Sequence, residues 1–200
     1  MSPPFVSAIL LAAGTSNRMG KGKKLLLRIG QKSLLRWSLQ HVLDCRANEI
    51  ILVVGEDADE IERCANHPKV RLIRNLDYRE GMSASIRVGV EAVSPHADGV
   101  LILLADQPTL RTETLDRFLQ AFAESGKRIV SAHYAGVTGN PVLFHRDFFD
   151  DLTRLQGDLG ARALLAKYAN EVATVPLCED EALDVDTPED LERAKKILSR

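Results

Sequence analysis

Sixteen residues near the N-terminus, Ile9 to Lys24 (ILLAAGTSNRMGKGKK), combine the residue types that hold a polyanion. An apolar run from Val6 to Ala13 meets Gly14, and the chain then turns small, polar and basic through Thr15, Ser16, Arg18, Gly20, Lys21, Gly22, Lys23 and Lys24. A buried strand opening into a glycine-containing loop can aim several backbone N–H groups at one anion, and Arg and Lys side chains neutralise the charge those dipoles leave over. That is phosphate chemistry. Two acidic positions lie far downstream. Asp106 ends the apolar run Val100 to Ala105, where an acid is costly unless paired or metal-bound, although an Asp there can also cap the following turn. Asp184 and Asp186 occupy alternate residues of an extended segment, so their side chains point to the same side.

Two better-known phosphate loops do not fit. A Walker loop requires Gly, four residues, Gly, Lys and then Ser or Thr, because the hydroxyl holds magnesium. Five residues separate Gly14 from Gly20, and Gly22 follows Lys21, so spacing and hydroxyl both fail. The dinucleotide fingerprint fails too, since Gly20-x-Gly22 is followed by Leu25 where a third glycine is required.

The elements that would position these residues alternate between strand and helix. Ser33 is placed to cap a helix carrying Leu35, Leu39, Val42 and Leu43 at one-face spacing. Ile50 to Val54 is a continuous apolar run of the kind buried on both faces of a parallel sheet, a polar helix spans about Asp57 to Cys64, and Val70 to Ile73 is a third strand. A polar loop, Asn75 to Ser85, precedes a helix whose start holds Ser83 and Ser85, as N-caps or as anion and base-edge ligands. Val100 to Ala105 is the fourth strand. Thr112 is expected to cap a helix with the core stripe Leu115, Phe118, Leu119 and Phe122. Arg128 to Tyr134 reads as a strand, Ala135 to Pro141 as a loop, and the residues through Phe144 as a short strand. A helix around Phe148 to Leu155 leads to two glycines, Gly157 and Gly160, before a helix with Arg162. Val172 to Leu177 is the last strand, and Thr187-Pro188 with Asp190 three on is a helix start. The pattern predicts a three-layer α/β/α sandwich with a mainly parallel sheet and its active edge at the carboxyl ends of the first and fourth strands.

Two hundred residues without a linker or repeat fit one domain, 1–200. A net charge of -2 gives no global attraction to nucleic acid or anionic lipid, so the basic cluster acts locally. Cys45, Cys64 and Cys178 are odd in number and lack CxxC spacing, which argues against disulfides or a zinc site and for a reducing compartment. No apolar run reaches membrane-spanning length and no charged leader is present, so the expected location is the cytoplasm. The five histidines show no ligand spacing.

Leu11-Ala12-Ala13-Gly14, Ser16, Arg18-Met19-Gly20 and a following lysine resemble the signature of the MobA-like nucleotidyltransferases. The commonest spacing in that group would select Lys23, whereas the register of LLLRIGQKSLL selects Lys24; Lys24 is the expected phosphate ligand, with Lys23 the alternative. The resemblance continues through Asn75 and Gly81-Met82-Ser83-x-Ser85, Ala105-Asp106-Gln107-Pro108, Gly139-Asn140-Pro141-Val142-Leu143-Phe144, Gly157-Asp158-x-Gly160-Ala161-Arg162 and Asp184-Val185-Asp186-Thr187-Pro188-Glu189-Asp190.

What this resemblance implies is a Rossmann-like nucleotidyltransferase fold with a mixed sheet. Leu11, Ala12, Ala13, Gly14, Ser16, Arg18 and Lys24 would surround the triphosphate, with Asn75, Gly81 and Ser83 beside base and ribose. Gly139, Asn140, Pro141, Gly157, Asp158, Gly160 and Arg162 would face the acceptor, and Asp106 and Asp186 would hold Mg2+, or Mn2+ instead. Arg18, Lys24 and Asp106 would be catalytic. Within the group, LAAG, GMS-x-S, GNPVLF and GDLGAR look like the molybdenum-cofactor cytidylyltransferases, which join CMP from CTP to molybdopterin and release pyrophosphate. A GTP-dependent guanylyltransferase for the same cofactor and a sugar-phosphate nucleotidyltransferase are the enzymatic alternatives. A non-catalytic nucleotide- or cofactor-binding delivery protein is the alternative of another class; it would need the phosphate loop but not the acidic pair. A recipient molybdoenzyme is a further implied partner, with no nucleic acid or membrane.

Overall fold

The computed structural model describes residues 3–14, 24–158 and 160–199. In chain order these form β1 (Val6–Ala12), a minimal hairpin of β2 (Arg28–Ile29) and β3 (Lys32–Ser33), α1 (Leu34–Asp44), β4 (Glu49–Val54), α2 (Ala58–Ala65), β5 (Val70–Arg74), α3 (Met82–Glu91), β6 (Gly99–Leu104), α4 (Thr112–Glu124), β7 (Ile129–Tyr134), β8 (Val137–His145), α5 (Phe149–Thr153), α6 (Arg162–Lys167), β9 (Val172–Pro176) and α7 (Pro188–Leu198). The main sheet has seven strands in the order β5-β4-β1-β6-β8-β7-β9. Among the described strands of this sheet, β8 alone runs antiparallel to its neighbours.

Every residue of β1 is buried. Side chains alternate across a strand, so Val6, Ala8, Leu10 and Ala12 enter one core layer while Ile9 and Leu11 enter the other. The first layer is closed by α1, α2 and α4 through Leu35, Leu39, Ile61, Leu115 and Phe118. The second is closed by α3, α5 and α6 through Ile86, Val90, Leu152 and Leu164. That is the expected three-layer sandwich: strands buried on both faces cannot alternate polar and apolar residues. A smaller cluster joins Ile29 and Leu34 to Val185 and to Ala194 of α7.

Local chemistry explains several boundaries. The Ser33 hydroxyl accepts from the Arg36 N–H at 3.2 Å and starts α1. Thr187 and Asp190 form a reciprocal capping box with Pro188 in the first turn of α7. Thr112, by contrast, is the first residue of α4 and not its cap; Arg111 holds that position, and the Thr112 hydroxyl donates to the His41 carbonyl at 3.2 Å. The stretch from Ala135 to Pro141 is also not a loop. Ala135 (φ 48°) and Gly136 (φ 81°) make a two-residue hairpin turn, and Val137 begins a nine-residue strand. Gly139-Asn140-Pro141 punctuates like a loop, but it lies at a bulge where the β7–β8 register shifts beyond Ser131, a place where the missing proline N–H breaks no ladder bond.

Candidate active site

The site grows from the carboxyl ends of β1 and β6. These strands pair in parallel with Leu11 opposite Leu104, so their ends emerge side by side. The Ala105 N–H donates to the Leu11 carbonyl at 3.0 Å, and the Ser38 hydroxyl donates to the Ala105 carbonyl at 2.9 Å, which anchors the turn carrying Asp106. The C-terminal segment is tied to the same turn. Val185, fully buried, donates its N–H to the Asp106 carbonyl at 3.0 Å, and the next residue is Asp186.

Lys24 completes the group. Its Nζ donates to Asp106 Oδ2 at 2.8 Å and to Asp186 Oδ1 at 2.9 Å, so residues 82 and 162 positions away converge on one ammonium. Burial alone would lower the Lys24 pKa. The Asp106 charge, together with hydrogen bonds to Asp106 and Asp186, outweighs it and holds the ammonium above its ordinary value of 10.5. Asp184 lies beside this group and accepts from Gln107 Nε2 at 2.7 Å. Burial lifts its carboxyl above the usual range against the pull of that hydrogen bond, and the charges of Asp106 and Asp186 add to the rise.

Two cavities meet here. The first, about 480 Å³, is lined by the β1 end (Leu11, Ala12, Ala13, Gly14), by Lys24, Asp106 and Asp186, and by Tyr78, Gly81 and Ser85 on the far side. The second, about 400 Å³, is lined by Gln107 and Asp184, by Tyr134, Gly139 and Asn140 from the hairpin, and by Arg162. Met82, Leu104 and Asp158 line both. The shared wall is clasped shut by the Ser83 N–H, which donates to the Gly157 carbonyl at 3.2 Å.

The structure thus brings together Leu11 to Gly14, Gly81, Lys24, Asp106 and Asp186 in one cavity and Gly139, Asn140, Asp158 and Arg162 around the other. Ser16, Arg18 and Lys23 lie outside the described residues. Ser83 and Asn75 point into the protein: each is at most 2% exposed. Asn75 Nδ2 donates to Ser85 Oγ at 3.0 Å, while its Oδ1 accepts from the Asp77 N–H at 3.0 Å. Ser85 is therefore the serine that faces the first cavity, positioned by Asn75 from behind. Helical phase could have separated the two: Ser83 and Ser85 are two residues apart, and on a helix such neighbours face different ways. Gly157 and Gly160 are not among the residues that line the two cavities; a Cβ on Gly160 would press on Met82 Sδ behind the wall. Pro141 sits in the β8 bulge.

The acidic pair suits a hard divalent cation. Asp106 Oδ1 is buried and has no hydrogen-bond partner among the described residues, and Asp106 Oδ2 and Asp186 Oδ1 already converge on one cationic atom. Two carboxylates with oxygen donors left for water or phosphate is how Mg2+ is commonly held. Among the described residues no group of three or more His, Cys, Asp or Glu side chains is placed to hold a metal ion.

Residues 8–172 match the family described as the MobA-like NTP transferase domain. The chain belongs to this family. It is 30% identical to the purine catabolism protein PucB of Bacillus subtilis (strain 168), all of both chains being covered. It is also 30% identical to the nicotine blue oxidoreductase of Paenarthrobacter nicotinovorans (95% of this chain, 96% of that one), and 29% identical to the molybdenum cofactor cytidylyltransferase of Escherichia coli (strain K12), 96% of each being covered. Among solved structures, Rv0371c of Mycobacterium tuberculosis H37Rv superposes with a TM-score of 0.86 at 29% identity over 98% of this chain and all of that one. A second crystal structure of that protein, a complex with manganese, gives 0.79 at 27% identity over the same shares. As a MobA-like NTP transferase the protein is a nucleotidyltransferase related to cytidylyltransferases, acting on nucleoside triphosphates, in a family where divalent-metal use has a precedent. No helix among the described residues is long and apolar enough to cross a membrane.

Proposed function

We propose that this protein transfers CMP from CTP to a phosphorylated acceptor, molybdopterin or the molybdenum cofactor, and releases pyrophosphate. The observation that carries the reading is the convergence of Lys24, Asp106 and Asp186 in a nucleotide-sized cavity that shares a wall with a second, arginine-edged cavity. A binding or delivery protein has no use for the acidic pair.

In this reaction an acceptor phosphate oxygen bonds to the α-phosphorus while the bond to the bridging β-phosphate oxygen breaks, and pyrophosphate leaves with the electron pair. The acceptor is already anionic, so no protein nucleophile is required. The obstacle is repulsion between anions and charge building on the leaving group. Lys24 meets it with a fixed positive charge, backbone N–H groups at Ala13 and Gly14 add dipoles, and the family resemblance assigns Ser16 and Arg18 to the same phosphates. Asp106 and Asp186 are the residues that would hold a divalent ion, Mg2+ or Mn2+, which when bound neutralises phosphate oxygens. Arg162 matches the acceptor phosphate, as a planar fork of donors.

Ser85 supports a base with acceptor atoms on its edge. Asn75 Nδ2 occupies a lone pair of the Ser85 hydroxyl, which leaves its O–H to donate into the cavity, and cytosine offers O2 and N3. The thiols of Cys45, Cys64 and Cys178 are free, which fits a reducing cytoplasmic setting, and direct transfer to a recipient molybdoenzyme would protect an unstable product.

The test is incubation with molybdopterin, a divalent metal and each of the four triphosphates in turn while pyrophosphate is measured. Release with CTP is the expected result. Preference for GTP overturns the cytidylyl assignment, turnover only with a sugar phosphate overturns the acceptor, and no release with any triphosphate overturns transfer.

A further inference from the structure

We propose that the second cavity takes its occupant by a flat nitrogen heterocycle, and that Asp184, held in place by Gln107, sets the specificity by accepting paired N–H donors from the ring edge. The ligand class is an anion carrying a 2-amino-4-oxopyrimidine edge, which pterins and guanine share. That the occupant is the acceptor rests on the function proposed above; how its edge is read does not.

Asp184 is aimed by its neighbours. Leu183 and Val185, on either side of it, are buried in the small cluster with Ile29, Leu34 and Ala194, which turns Asp184 the other way, onto the second cavity. Gln107 lines the cavity beside it and donates from Nε2 to Asp184 Oδ1 at 2.7 Å. Gln107 is 6% exposed, and its own Oε1 is buried without a partner among the described residues. Turning the amide over would set a carbonyl against the carboxylate. The protein thus leaves a buried acceptor unpaired in order to keep a donor on Asp184, an arrangement that stability alone does not favour.

The wall then dictates the chemistry of what it holds. Among the described residues Gln107 is the one hydrogen-bond donor to the Asp184 side chain and reaches Oδ1, so Oδ2 keeps its lone pairs for the cavity. An ionised carboxylate only accepts, and two parallel N–H groups in one plane are its best partner. An exocyclic amine beside a ring N–H supplies that pair on a rigid frame. Tyr134 lines the same cavity and offers an aromatic face to a flat ring. Arg162 lines it too and has no ion pair among the described residues, which leaves a guanidinium for an anionic substituent. A sugar would bring single hydroxyl protons and no flat face, so it uses this wall less fully.

The test is binding of pterin-6-carboxylate, which carries both the edge and an anion, to the intact protein at neutral pH without nucleotide, followed by quenching of the pterin fluorescence. The comparison compound is lumazine-6-carboxylate, in which an oxo group replaces the 2-amino group and sets a carbonyl against Asp184. The wild type should prefer the pterin about tenfold or more, the worth of one charge-assisted hydrogen bond. Asp184→Asn keeps the shape but presents an amide, which pairs with the N–H and C=O of lumazine, so the preference should reverse. A merely structural Asp184 would weaken both compounds alike. Equal binding of the two by the wild type, or the same preference in Asp184→Asn, overturns the proposal. Should Asp184→Asn fail to fold, discrimination by the wild type decides alone. GMP carries the same edge: if it binds in an Asp184-dependent way and the pterin does not, the edge reading stands and molybdopterin falls as the acceptor. If the pterin preference and its reversal hold while no triphosphate releases pyrophosphate, recognition stands and transfer falls.

Discussion

Gly81→Ala probes the wall between the two cavities. Gly81 adopts φ 102° and ψ -175°, a region open essentially to glycine alone, and a side chain there costs about 1–3 kcal/mol. The added methyl would overlap Asp158 Oδ1 and come within 3.0 Å of the Gly157 carbonyl carbon. The first clash is relieved by rotating an exposed side chain; the second requires backbone to move, and such overpacking adds about 1 kcal/mol or more. The sum is about 2–4 kcal/mol, read as a lower urea midpoint at unchanged slope. Asp158→Ala in the same background should recover only the part due to the side chain, leaving the backbone cost in place. Because Asp158 lines both cavities, the single variant should also raise KM for nucleotide and acceptor together. A Gly81→Ala protein within about 0.5 kcal/mol of the wild type would refute the reasoning, since that is the range of an ordinary surface change.

Other outcomes follow from the same geometry. Asp106→Asn preserves shape but removes a preorganised charge, so turnover should drop about a hundredfold or more with little change in unfolding temperature; near-normal turnover removes Asp106 from the mechanism. Ser85→Ala should raise KM for CTP about tenfold, one lost hydrogen bond, whereas Ser83→Ala should leave it unchanged because the Ser83 hydroxyl is buried without a partner among the described residues. A larger effect at Ser83 than at Ser85 reverses the assignment. His41 gives a pH signature. Burial is the main cause holding its pKa below the ordinary 6.5, partly offset by Asp44 and Glu113. The unfolded chain therefore takes up a proton first as pH falls below 6.5, so stability is full above that value and declines through the window beneath it. His41→Gln should flatten that decline in urea unfolding measured at successive pH values, and an unchanged slope would contradict it.

The regions where sequence and structure agree share one cause. Continuous apolar runs such as Ile50 to Val54 have a single stable use, burial on both faces of a sheet, and capping chemistry at Ser33 and Thr187 acts over three or four residues. Asp106 stands out in the sequence because an acid closing the apolar run Val100 to Ala105 is costly unless paired, whereas Asp186 is marked only by its spacing from Asp184 and by the family resemblance. What escaped depends on long-range partners. Gly139-Asn140-Pro141 has loop composition, yet it lies inside β8 because Gly139 pairs with Ala132 of β7 on one side of the bulge and Val142 with Ser131 of β7 and Ile102 of β6 on the other. The β2–β3 hairpin is too short to show a period. The support that Asn75 gives Ser85 from behind, and Gln107, whose partner Asp184 is 77 residues away, carry no local mark.

The reversed strand β8 separates two walls that differ in how far they are tied into the core. Walls of the first cavity come from β1, β6 and α3, whose interior residues are locked into both core layers. Walls of the second cavity come in good part from a hairpin whose turn, Ala135–Gly136, is flanked by two exposed apolar residues, Tyr134 and Val137, that line that cavity. Lengthening or recolouring that tip disturbs no buried packing, so the second cavity can be reshaped by edits at a single bend while the first keeps its walls.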